Sequence, residues 1–90
     1  MTPENKPIVE KTVRAVLGDV LALSPERVAA FGRDTPLFGS LPELDSMAVA
    51  GVLTELEDRL AIMIEDDDVD GDMLATFGAL VDFVSAKAFR

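Results

Sequence analysis

The apolar positions of this chain recur at the three- and four-residue spacing of helices, and little in the pattern suggests strands. From Ile8 to Leu23, the residues Val9, Val13, Val16, Leu17, Val20 and Leu21 form one stripe, while Glu10, Lys11, Arg14 and Asp19 take the other face. This predicts a first helix with Pro7 near its first turn. Ser24 and Pro25 in "SPERV" then supply a cap and the first position of a short helical turn. The stretch from Gly32 to Leu44, "GRDTPLFGSLPEL", is broken by two Gly and two Pro and reads as a long loop. Loops of this length inside a compact domain are usually functional, and Leu37, Phe38 and Leu41 are apolar enough to pin it to the core.

A long second helix starts at Ser46. At 100° per residue, Val49, Val52, Leu53, Leu56 and Leu60 gather on the side expected to face the core. The opposite side collects Met47, Ala50, Gly51, Thr54, Glu55, Glu57 and Asp58, a small and acidic face. Glu55 and Arg59 are spaced for an i,i+4 pair, worth only about 0.3–0.5 kcal/mol. The acidic run "MIEDDDVDGDML" predicts a turn and a short acidic third helix. Thr76 caps a last helix in which Phe77, Leu80, Val81 and Val84 repeat. Such stripes can be buried only against one another. The expected fold is therefore all-α, a small four-helix bundle with a long first loop, as one domain over residues 1–90.

Composition sharpens this picture. With 90 residues, 49% hydrophobic and 28% charged, the chain can fold but cannot hold a second domain. Its 17 acidic against 8 basic residues leave a net charge of −9, so nucleic-acid phosphates and anionic membranes repel it and basic protein surfaces attract it. The chain contains neither cysteine nor histidine. That removes disulfides, zinc sites, thiol nucleophiles and the usual neutral-pH base, and with them an ordinary hydrolase triad. "MTPENKPIVEK" lacks the apolar core of a leader, and nothing approaches roughly 18 consecutive apolar residues. A monomeric cytoplasmic protein is the expectation.

Candidate chemistry centres on Ser46. A serine at a helix start is ordinarily a cap, but Asp45 can take that duty and leave the Ser46 hydroxyl free at the first helical position, where free backbone N–H groups and the helix dipole favour an anion. Neither residue has Glu or Gln three positions on to complete a capping box. Beside it Met47 is an adaptable apolar contact, and Ala50, Thr54, Glu57 and Asp58 complete a candidate docking face. A competing reading lies in Asp66, Asp68, Asp70 and Gly71, which match the opening of an EF-hand loop. Counted from Asp66, however, the twelfth position is Phe77, where calcium needs a bidentate glutamate. A third reading is a helical adaptor that differs from the first only at Ser46.

The combination of "LDSMAVAGVLTELEDRLAIMIEDDD" with "TFGALVDFVSAKA" resembles the acyl carrier proteins along almost the whole chain. Asp45-Ser46-Met47 is similar to the family's Asp-Ser-Leu at the start of its second helix. The resemblance implies that Ser46 carries 4′-phosphopantetheine, whose thiol holds an acyl group as a thioester, with Asp45 as the flanking motif residue. It implies that a phosphopantetheinyl transferase attaches the group from coenzyme A with magnesium. Acyl-activating, acyltransferase or synthase enzymes with basic docking surfaces would then read the second helix, and the carrier itself would catalyse nothing. Two departures stand out: Glu43 and Leu44 replace the family's usual glycine ahead of Asp-Ser, and Gly51 lies where many fatty-acid carriers have an acid. "PELDSMAVAGVL" is similar to small stand-alone carriers found beside bacterial exopolysaccharide or exosortase systems.

Overall fold

The computed structural model describes residues 5–88, so most of the "MTPENKPIVEK" stretch's first turn lies outside the described residues. Four α-helices, α1 (Asn5–Leu21), α2 (Pro25–Ala29), α3 (Ser46–Leu60) and α4 (Phe77–Ala88), are joined by loops, with a single 3-10 turn at Asp66–Asp68. The described residues form no strand beyond an isolated bridge between Pro36 and Thr76. Helix α1 is the hub and packs against each of the other three. Its predicted stripe supplies Val9, Val13, Val16 and Leu17 to the core, where they meet Val52 and Leu56 of α3 and Phe77, Leu80, Val81 and Val84 of α4. Each such side chain contributes about 1.5–3 kcal/mol on burial.

The helix ends follow local rules. Helix α1 stops at Leu21 instead of running to Leu23. Ala22 turns left-handed (φ 56°), and the Leu23 amide bonds back to the Gly18 carbonyl at 3.0 Å, a Schellman closure that also buries Leu23. Ala61 (φ 53°) ends α3 in the same way, with the Ile62 amide on the Glu57 carbonyl at 3.2 Å. Ser24 caps α2 through the Arg27 amide and Thr76 caps α4 through the Ala79 amide, as expected.

Several positions depart from the sequence pattern. Arg14, expected on the solvent face, is half-buried. It stacks over the Phe77 ring at 4.6 Å and donates to the Val28 carbonyl at 2.6 Å, tying α2 to α1. Gly51 and Glu55, expected to face outward on α3, lie on its flank beside α1. A Cβ at Gly51 would sit 3.3 Å from Val20, and Glu55 holds Arg59, which also reaches Asp19 of α1 at 2.8 Å. The short acidic helix is only the 3-10 turn, because aspartate side chains compete for the backbone they would have to leave in a longer helix. Asp68 accepts from the Glu65 amide at 3.0 Å and pairs with Lys87 of α4.

The long loop is stitched to the approach to α4 by main-chain bonds. The amides of Leu37 and Phe38 donate to the carbonyls of Ala75 and Leu74, both at 3.0 Å, while those of Phe77 and Gly78 donate to Thr35 and Arg33, both at 2.9 Å. Leu37 is fully buried beneath this seam and Leu41 is half-buried, but Phe38 is 46% exposed and does not anchor the loop by its side chain. Gly78 is required at the closest point: a Cβ there would lie 2.8 Å from the Arg33 carbonyl oxygen and 2.9 Å from the Arg33 Cβ. Gly78→Ala is therefore expected to lower unfolding stability by about 2 kcal/mol in chemical denaturation, since backbone has to move aside. Ser85 of α4 is fully buried and its hydroxyl has no hydrogen-bond partner. Ser85→Ala should raise stability by about 1 kcal/mol in the same assay.

Candidate functional site

The turn into α3 determines what Ser46 is free to do. Asp45 is extended (φ −89°, ψ −176°), and its Oδ1 accepts the Ala48 amide at 2.8 Å. Asp45 is thus the cap, and Ser46 is the first helical residue. Its side chain is exposed and makes no hydrogen bond among the described residues. The Ser46 and Met47 amides belong to the helix's first, unpaired set of donors and point into the positive end of the dipole.

Two residues that depart from the family pattern hold this turn in place. Leu44 is only 3% exposed and plugs the core two residues ahead of Ser46. Glu43 accepts from both terminal nitrogens of Arg27 on α2, at 2.6 and 3.5 Å. The hydrogen bond from Arg27 holds the Glu43 carboxyl below its ordinary value, and the same contact raises the guanidinium. No periodic signal links these residues, and only the folded chain brings them together.

Ser46 lies where two clefts meet. The wider, about 350 Å³, runs down α3 past Ala50, Leu53, Thr54 and Glu57, with Asp66 and Val69 as its far wall. The narrower, about 230 Å³, is bounded by Phe38, Val69, Asp70 and Leu74. Ser46, Val49 and Val69 line both. Phe38 and Val69 were not singled out as site residues in the sequence; their signal is an apolar side chain isolated in a Gly/Pro-rich or acidic loop.

The other predicted residues divide. Met47 is 86% exposed, and Ala50, Thr54 and Asp58 are also exposed on the same helix. Glu57 is half-buried, and its Oε2 accepts the Ile64 amide at 2.8 Å, so it also serves the chain's return along α3. The aspartates of the supposed EF-hand do not converge. Asp68 pairs with Lys87, Asp70 caps the Met73 amide at 2.9 Å, and among the described residues no group of three acids could hold a metal ion.

The family described as "phosphopantetheine attachment site" matches residues 11–84. A solution structure of a holo acyl carrier protein from Nitrosomonas europaea superposes with a TM-score of 0.78 at 42% identity, covering 88% of this chain and 93% of that one. The chain belongs to the acyl carrier protein family. A search of curated proteins found no match. The prosthetic group of this carrier is 4′-phosphopantetheine, and the turn at Ser46 suits a phosphodiester: an exposed hydroxyl, unpaired first-turn amides and two adjoining clefts. No helix among the described residues is long and apolar enough to cross a membrane.

The Glu43–Arg27 clamp carries a pH signature. A carboxyl with a lowered folded pKa contributes stability above its ordinary value of 4.5 and loses it as the pH falls through the folded value. Thermal melts from neutral pH down to about pH 3 should show wild type converging on Glu43→Gln in acid, the gap opening again above that range.

Proposed function

We propose that Ser46 is the attachment residue and that this single-domain carrier presents an acyl thioester to enzymes that approach over the exposed face of α3. The observation that carries this reading is the transfer of capping duty to Asp45, which leaves the Ser46 hydroxyl without a structural task at the junction of both clefts. Once attached, the prosthetic group supplies a thiol that holds the acyl group. Ser46 fixes the tether's root, the first-turn amides of α3 offset the phosphate charge, and Val49, Leu53 and Val69 offer apolar wall near that root.

With neither cysteine nor histidine in the chain, the base that activates the hydroxyl has to come from a phosphopantetheinyl transferase, and the acyl chemistry from acyl-activating, acyltransferase or synthase enzymes. Met47, Ala50 and Thr54 form the contact surface for these partners, with Glu57 and Asp58 toward its far rim. The net charge of −9 draws partners with basic surroundings from a distance. Incubation with coenzyme A and a broad-specificity transferase is expected to add the mass of one phosphopantetheine group to the intact protein. Ser46→Ala should abolish that gain while leaving the circular dichroism spectrum unchanged. A persistent gain in the variant would place the attachment elsewhere.

A further inference from the structure

Resting on the reading of Ser46 as the attachment residue, we propose that the short helix α2 is a strut that sets the bearing of that serine, with Arg14, Arg27 and Glu43 as positioning residues for transfer of the prosthetic group. The turn ahead of Ser46 is tied to three different bodies. Asp45 ties it to α3 through the Ala48 amide, and that bond moves with α3. Leu44 ties it to the core, but burial is non-directional and leaves the turn free to rotate about the plug. Glu43 ties it to α2. Its two oxygens take both terminal nitrogens of Arg27, at 2.6 and 3.5 Å, and a forked pair fixes direction as well as distance.

A strut has to be held at its other end. Five residues are too few for a helix to persist on its own hydrogen bonds, and α2 is fastened instead through the residue next to Arg27. Val28 is buried, and its carbonyl accepts Arg14 Nη1 of α1 at 2.6 Å. The Arg14 guanidinium is itself committed elsewhere: its second terminal nitrogen bonds Glu10 at 2.8 Å, and its face lies over the Phe77 ring of α4. Side chains of α1 and α4 thus place Val28, Val28 places Arg27, and Arg27 places Glu43, three residues ahead of the serine. Loosening either end of α2 would leave Ser46 on a turn that samples several bearings, only some of them fit for an enzyme. A smaller competent fraction raises the carrier concentration needed by its reciprocal and leaves the rate at saturation unchanged.

The test is steady-state transfer from coenzyme A by a broad-specificity phosphopantetheinyl transferase, with amide exchange at Ala48, followed by NMR on the unmodified carrier, as a readout that needs no enzyme. Arg27→Glu and Glu43→Arg should each raise the KM for the carrier about threefold with kcat within about twofold, the scale of an exposed ion pair, and speed Ala48 exchange. Combining Arg27→Glu with Glu43→Arg should restore both readouts. Glu26→Arg, the same change of charge at an exposed neighbour on α2, should alter neither. Arg14→Gln should also raise KM, and adding Arg27→Gln to it should raise KM no further, because both cut one strut. A charge swap no better than the worse single variant, or a Glu26→Arg effect equal to that of Glu43→Arg, would show that the transferase reads these charges directly and overturn the proposal. Effects of Arg14→Gln and Arg27→Gln that multiply would overturn it too. Should Arg14→Gln fail to fold, the charge swap decides alone. Absence of any mass gain on the wild-type carrier would refute the attachment reading, while Ala48 exchange would still decide the strut.

Discussion

Asp45 accepting the Ala48 amide is the contact on which the geometry around Ser46 depends. A helix start always offers unpaired donors, and the side chain that takes one of them is no longer available for anything else. Because the aspartate does this, the serine that follows is held in helical geometry by the backbone alone and keeps its hydroxyl outward. The plug at Leu44 and the Arg27–Glu43 clamp hold the same turn from the other direction. An exposed hydroxyl on a small domain thus gains a fixed position without being drawn into the network that fixes it.

The seam between the long loop and the approach to α4 supports that turn from below. Sixteen residues separate Ala29 from Ser46, a length of chain that would be costly to order by side-chain packing in a domain of this size. Main-chain bonds do it instead, two on each side of the Pro36–Thr76 bridge, with Leu37 as the buried peg and Gly78 as the point where backbone meets backbone. The loop can then present Phe38 toward Ser46 because its own anchoring does not need that ring.

Much of this was legible in the sequence. The stripes of α1, α3 and α4 are strongly periodic, and burial followed them: Val13, Leu56 and Leu80 are where the spacing puts them. The capping roles of Ser24, Asp45 and Thr76 are local chemistry and could be read directly. What failed involved relations between elements. A helical wheel can assign Gly51 to a face, but only the approach of α1 shows that its missing side chain makes room for Val20. Phe38 and Leu37 are neighbours of equal hydrophobicity, and the direction of the seam decides which one is buried. Glu57 looks like a free surface charge until the chain reverses at Ala61 and brings the Ile64 amide to it. Arg27 and Glu43 are 16 residues apart and carry no pattern at all.

The pin between Lys87 and Asp68 has a consequence for the hollow beside Ser46. One side of the wider hollow beside Ser46 belongs to the bundle, and the far side, Asp66 and Val69, belongs to the turn that Lys87 of α4 and the Glu65 amide hold through Asp68. The two sides of the hollow therefore answer to different contacts: a substitution at Lys87 or Asp68 bears on the wall, whereas one in the α1–α3 core bears on the floor.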